Sequence, residues 1–127
     1  MTTTGYKRLT VTLSAIAMLL LVIAGKCMWD ASLLRLQVAL ANEQTQIFEE
    51  MRRNALAGDA IGAAQNLEYA VRYYPSGTKQ VAGSRLDQIV ERQRAQVIRD
   101  IIAHLRAKTG EDLGDDPEKW IQKYAKR

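Results

Sequence analysis

The stretch LTVTLSAIAMLLLVIAG, residues 9–25, decides the architecture of this chain. It holds no charged side chain, and its polar side chains are Thr10, Thr12 and Ser14, whose hydroxyls can bond back to carbonyls one turn earlier in a helix. At 1.5 Å per residue these 17 positions span roughly 26 Å, slightly short of a hydrocarbon core of roughly 30 Å. The flanks close the difference. Tyr6 and Trp29 are residue types that favour water–lipid interfaces, Lys7, Arg8 and Lys26 can reach into the headgroups, and Cys27 and Met28 prolong the apolar run.

These features predict an uncleaved single transmembrane anchor. A cleaved signal peptide is the competing reading, because a short basic stretch precedes the apolar run. Its processing chemistry is poor: Ala24 and Gly25 are small, but Lys26, Cys27, Met28 and Trp29 follow. A lipoprotein site would need Cys directly after Gly25, where Lys26 stands. The charges of Lys7, Arg8 and the α-amino group, weighed against Lys26 and Arg35, favour a cytoplasmic N-terminus by about one charge. The 102 residues after Gly25 would then lie on the non-cytoplasmic side.

Outside the anchor, the length bounds the chain to one small domain. It has 127 residues, 18 basic against 14 acidic side chains, one Cys and one His. A single Cys excludes an internal disulfide framework, and Cys27 with His104 cannot supply a four-ligand zinc site. The reading is all-α: residues 1–29 form the tail and anchor, and residues 30–127 form a small helical domain with a C-terminal capping helix.

Residues 30–56 contain no Gly or Pro, so a helix can continue through them, directly from the anchor. Leu33, Leu36, Leu40, Ile47, Met51 and Ala55 form a stripe at helical spacing that Gln44 interrupts. The stripe reads as a packing face, with a parallel coiled-coil seam between copies as the alternative. Gly58 and Asp59 stop this helix and cap the next. There Ala60, Ala63, Ala64, Leu67, Ala70, Val71 and Tyr74 recur at steps of three and four, until Tyr74-Pro75-Ser76-Gly77 ends the segment. An antiparallel hairpin results, its alanines permitting close approach.

A third helix is expected over 80–108, with Val81, Leu86, Ile89, Val90, Val97, Ile98, Ile101, Ile102 and Leu105 on its apolar face and Gln93 interrupting it. Seven basic residues, counting Lys79 just before it, and three acidic residues accompany it. Among them Arg85, Arg92, Arg99 and Arg106 make a candidate basic face. The face could meet anionic lipid or nucleic acid. Nucleic acid is disfavoured, because the aromatics that would stack bases, Tyr69, Tyr73 and Tyr74, belong to another helix.

Gly58, Asp59, Ala63, Leu67, Ala70 and Pro75 together resemble the second half of a tetratricopeptide repeat, over residues 58–75. Ile47, Glu50, Met51 and Asn54 depart from that family's first half. The resemblance implies a helical hairpin and a tendency toward protein–protein contact. The string TGEDLGDDPEKW, residues 109–120, resembles a Thr-Gly, Asp, Gly, Asp-Pro, Trp signature at the C-terminal ends of bacterial HEAT-type helical-repeat proteins and uncharacterised membrane-linked proteins. It implies a structural closing motif and no catalytic residue. Physically, Asp116 caps a helix that opens on Pro117, and Trp120, Ile121 and Tyr124 fold back on the third helix.

Glu111, Asp112, Asp115, Asp116 and Glu118 crowd five carboxylates together, but the ligand order of a calcium loop is missing. Cys27 reads as interfacial filler, with acylation as the alternative. His104 lies one turn from Asp100, a spacing more ordinary for a surface contact than for acid–base work. No phosphate loop or nucleophile elbow is present. The sequence therefore points to a membrane-anchored module that meets a protein partner or its own copies. It indicates no catalytic residue, no cofactor, no metal site and no small-molecule substrate.

Overall fold

The computed structural model describes residues 3–73 and 77–125 and is all-α. Helix α1 is Thr3–Ala57, α2 is Ala60–Arg72, α3 is Arg85–Thr109, and the short α4, Pro117–Trp120, runs into a π-helical turn, Ile121–Ala125. The chain divides into two compact units, Met1–Leu36 and Gln37–Arg127.

In the first unit every side chain from Gly5 to Leu36 is exposed. Thr10 Oγ1 donates to the Lys7 carbonyl at 2.9 Å and Thr12 Oγ1 to the Arg8 carbonyl at 2.8 Å. This is the back-bonding that lets hydroxyls enter an apolar helix. Ser32 does the same to Met28 at 2.9 Å.

The second unit is a small bundle. From α1 it buries Ala41, Gln44, Phe48, Met51 and Ala55, a stripe at steps of three and four. This differs from the expected stripe. Leu33 and Leu36 are exposed, Leu40 and Ile47 are half-buried, and Phe48 occupies the centre. Gln44 is no interruption either: it is buried, and its Oε1 accepts from Gln80 Nε2 at 2.7 Å. A seam between copies through Met51 and Ala55 is therefore closed, since the bundle itself covers those side chains.

Asp59 starts α2 as expected, its Oδ1 accepting from the Gly62 N–H at 2.8 Å. Ala63, Ala64, Leu67 and Ala70 face inward. Tyr73 turns its ring edge-on to Phe48, with centroids 5.8 Å apart. Tyr74 and Pro75, expected to close this segment, lie outside the described residues.

Helix α3 starts at Arg85, five residues later than expected, and the reason is local. Ser84 is the N-cap, its Oγ accepting from the Asp87 N–H at 3.2 Å. The Asp87 carboxylate is buried and accepts from the backbone N–H groups of Gly83 at 2.8 Å and Gly77 at 3.2 Å. It gathers the preceding loop onto the helix start, where the positive end of the macrodipole favours its charge. At Gly77 φ is +80° and a Cβ would sit 2.9 Å from that of Ala82, so only glycine fits. Val81 is exposed in this loop and Ile89 is exposed on the helix, whereas Val90, Val97, Ile101, Ile102 and Leu105 are buried. Gly110 closes α3 at φ +70°, its N–H bonding the Arg106 carbonyl.

The tail then returns across the bundle. Asp116 caps α4 by accepting from the Glu118 N–H at 3.0 Å, with Pro117 in the first turn. Trp120 is fully buried and Ile121 nearly so. The expected fold-back is present, with one difference: α4 packs against both α2 and α3, whereas the π-helical turn after it packs against α2.

Candidate functional site

The residues expected at lipid interfaces all lie on α1 and all are exposed: Tyr6, Lys7, Arg8, Lys26 and Trp29. Between the two groups, Leu9, Val11, Leu13, Ile16 and every residue from Met18 to Ile23 expose apolar side chains to the surroundings. Helix α1 is long and apolar enough to cross a membrane.

The four arginines of the expected basic face share α3 but do not share a fate. Arg85 and Arg92 are exposed, flank Gln88 and Ile89 around a shallow depression, and have no carboxylate partner among the described residues. Arg99 donates to Gln96 Oε1 at 2.7 Å. Arg106 is committed to the tail: its Nε donates to Asp112 Oδ1 at 2.8 Å and its Nη2 to Asp115 Oδ1 at 2.7 Å. Those two carboxylates, Asp115 first, raise the Arg106 pKa above its ordinary value. A guanidinium held between two acids offers little to an external phosphate.

The acidic tail is a set of internal contacts. Asp112 also accepts from the Gly114 N–H at 2.9 Å, and this bond, then Arg106, holds its carboxyl below the usual range. Glu111 accepts from Lys123 Nζ and from Tyr124 Oη at 2.8 Å. The lysine first and the phenol second lower the Glu111 pKa, and Glu111 in turn raises that of Lys123. The Trp120 indole N–H donates to the Gly114 carbonyl at 2.9 Å, so the ring closes the loop that the aspartates shape. Among the described residues no three Asp, Glu, His or Cys side chains converge as metal ligands.

Sequence reasoning missed Arg94, which it counted as one more surface charge. Its Nε donates to the Ala70 carbonyl at 2.9 Å, its Nη2 to the Val71 carbonyl, and its Nη1 meets Glu91 at 3.3 Å. The guanidinium thus satisfies carbonyls that the last turn of α2 leaves open. Gln93 likewise bonds Glu49 across to α1. Asp100, expected beside His104, accepts instead from Gln96 at 2.7 Å and faces Arg52 at 3.8 Å. The Nε2 of His104 is buried without a partner among the described residues. Among the described residues no hydrogen bond or ion pair joins Asp100 to His104.

No family model, curated protein or solved structure matches the chain.

Proposed function

We propose that this chain is a single-pass, membrane-anchored helical module for protein interaction or assembly, without catalysis of its own. One observation carries the reading: residues 9–25 of α1 present an uncharged, exposed and largely apolar surface, far more than water tolerates on a small protein. Lipid is the cover that suits a helix apolar all round, with Tyr6, Lys7 and Arg8 before it and Lys26 and Trp29 after it. The excess of about one positive charge before the anchor favours a bundle on the non-cytoplasmic side. The bundle's polar chemistry supports a binding role over a reaction. Arg94, Asp87, Gln44, Gln80 and Arg106 spend their hydrogen bonds inside the fold.

Flotation and alkaline extraction of native membranes test the anchor, and unprocessed full-length protein in the soluble fraction would end this reading. Co-purification in mild detergent, before and after a salt wash, tests the module, which predicts a stoichiometric protein partner or a multiple of its own mass. A second reading, a basic regulator held on anionic lipid or nucleic acid, has support from the unpaired Arg85 and Arg92. It predicts loss of that binding on Ala replacement of both.

A further inference from the structure

Lipid can cover residues 9–25, but apolar side chains stay exposed beyond the interfacial Trp29. Leu33, Leu34 and Leu36 are 43%, 56% and 57% exposed, and only Asp30 and Arg35 supply charge among them. Writing the helix in heptads places Leu34 on a continuous seam, with Leu33 and Leu36 off it at c and f. Thr10, Ala17, Ala24 and Ala31 fall at a, and Leu13, Leu20, Cys27 and Leu34 fall at d. This seam alternates small residues at a with larger ones at d and carries no charge over residues 10–34. It spans three and a half heptads, within the three to four that a sustained coiled coil needs. Lys26 falls at c and Trp29 at f, off the seam.

The two charges then take a decisive place. In this register Asp30 is a g position and Arg35 the e position five residues later. In a parallel pair of helices g of one chain meets that e of the other. Five residues apart on one helix they do not face each other. Both are exposed, and neither has an ion-pair partner among the described residues.

We propose that a second copy of this chain pairs in parallel along this face of α1. The alanines at a let the backbones approach. The d residues fill the space between them, and Asp30 and Arg35 form two symmetry-related ion pairs between the copies. The Cys27 thiols meet across the seam. The pairing rests on the membrane reading, since a shared bilayer sets both copies at one depth and one orientation.

The test is cysteine cross-linking of the full-length protein in native membranes with copper phenanthroline. Native Cys27, and Leu34→Cys or Ala31→Cys in a Cys27→Ser background, should give disulfide-linked dimer. Ser32→Cys and Leu33→Cys, at b and c, should not. Equal cross-linking at all five positions, or none at the a and d positions, overturns the proposal. Asp30→Arg or Arg35→Asp alone should lower the Cys27-linked fraction about tenfold, two exposed ion pairs being lost and like charges opposed. The double exchange should restore it to within about twofold, and failure of that rescue overturns the assigned register. Flotation of the same samples separates the two ideas: protein that does not float refutes the anchor, whereas floating protein without the seam pattern refutes the pairing alone.

Discussion

Removing Trp120 should cost the bundle a large part of its stability, although the residue sits on a four-residue helix at the edge of the fold. The ring is completely buried, joins the core that α2, α3 and the C-terminal half of α1 build, and donates its N–H to the Gly114 carbonyl at 2.9 Å. Truncation of a buried Trp to Ala costs about 3–5 kcal/mol, and the carbonyl left behind adds about 1 kcal/mol. The second compact unit, Gln37–Arg127, is about 90 residues long, and such a domain has roughly 5–13 kcal/mol in total. Trp120→Phe keeps most of the ring contact and loses the hydrogen bond, so it should cost only about 1–2 kcal/mol. Urea unfolding of the full-length protein in mild detergent, followed by circular dichroism, measures both. At an m-value of about 1.2 kcal/mol per molar, the Ala variant should unfold about 3–5 M earlier than wild type. A loss below about 1 kcal/mol for Trp120→Ala, or equal losses for the two variants, would refute the idea that the tail closes the core through this side chain.

Two further outcomes follow from buried and paired polar groups. Gln44→Leu should destabilise by about 1–3 kcal/mol, because it leaves the buried Gln80 amide without its partner, while the double variant with Gln80→Leu should regain most of the loss. The same urea titration decides it, and losses that simply add would contradict the pairing. The tail should also confer acid sensitivity. Glu111 and Asp112 have folded pKa values lowered below their ordinary 4.5 and 3.8. Their stabilisation is therefore complete above those values and disappears as pH falls through the lowered ones. Glu111→Gln should flatten that acid limb in a stability-against-pH series, and an unchanged limb would count against the Lys123 and Tyr124 contacts.

Legibility from the sequence tracked how local each cause was. Asp59 and Asp116 could be read in advance, because such a cap bonds a neighbour two or three residues away. Gln44 looked like a break in an apolar stripe, since the partner that makes it a core residue lies 36 positions later at Gln80. Val81 fits the apolar phase of α3 and drew the expected helix start five residues too early. The cap at Ser84 and the carboxylate of Asp87 decide that boundary. Leu33 and Leu36 have a perfect helical spacing, but spacing reveals a face without revealing whether anything in the same chain covers it. The arginine series at seven-residue steps was correctly placed on one helix. It lost Arg106 as a binding group because the tail supplies Asp112 and Asp115 six and nine residues further on. Arg94 could not be distinguished from its neighbours until the end of α2 came alongside.

The amide pair of Gln44 and Gln80 also has a mechanical meaning. Alanines at 41 and 55 and the pliable Met51 would let α1 slip lengthwise against the rest of the bundle at little steric cost. The buried amides give that sliding coordinate a single detent, because a shift of one helical turn, about 5.4 Å, strands both of them. Each stranded amide costs about 1–3 kcal/mol. A pull or push delivered along this part of α1 is therefore handed to the bundle as a whole, as through a keyed shaft, and is not dissipated as slippage.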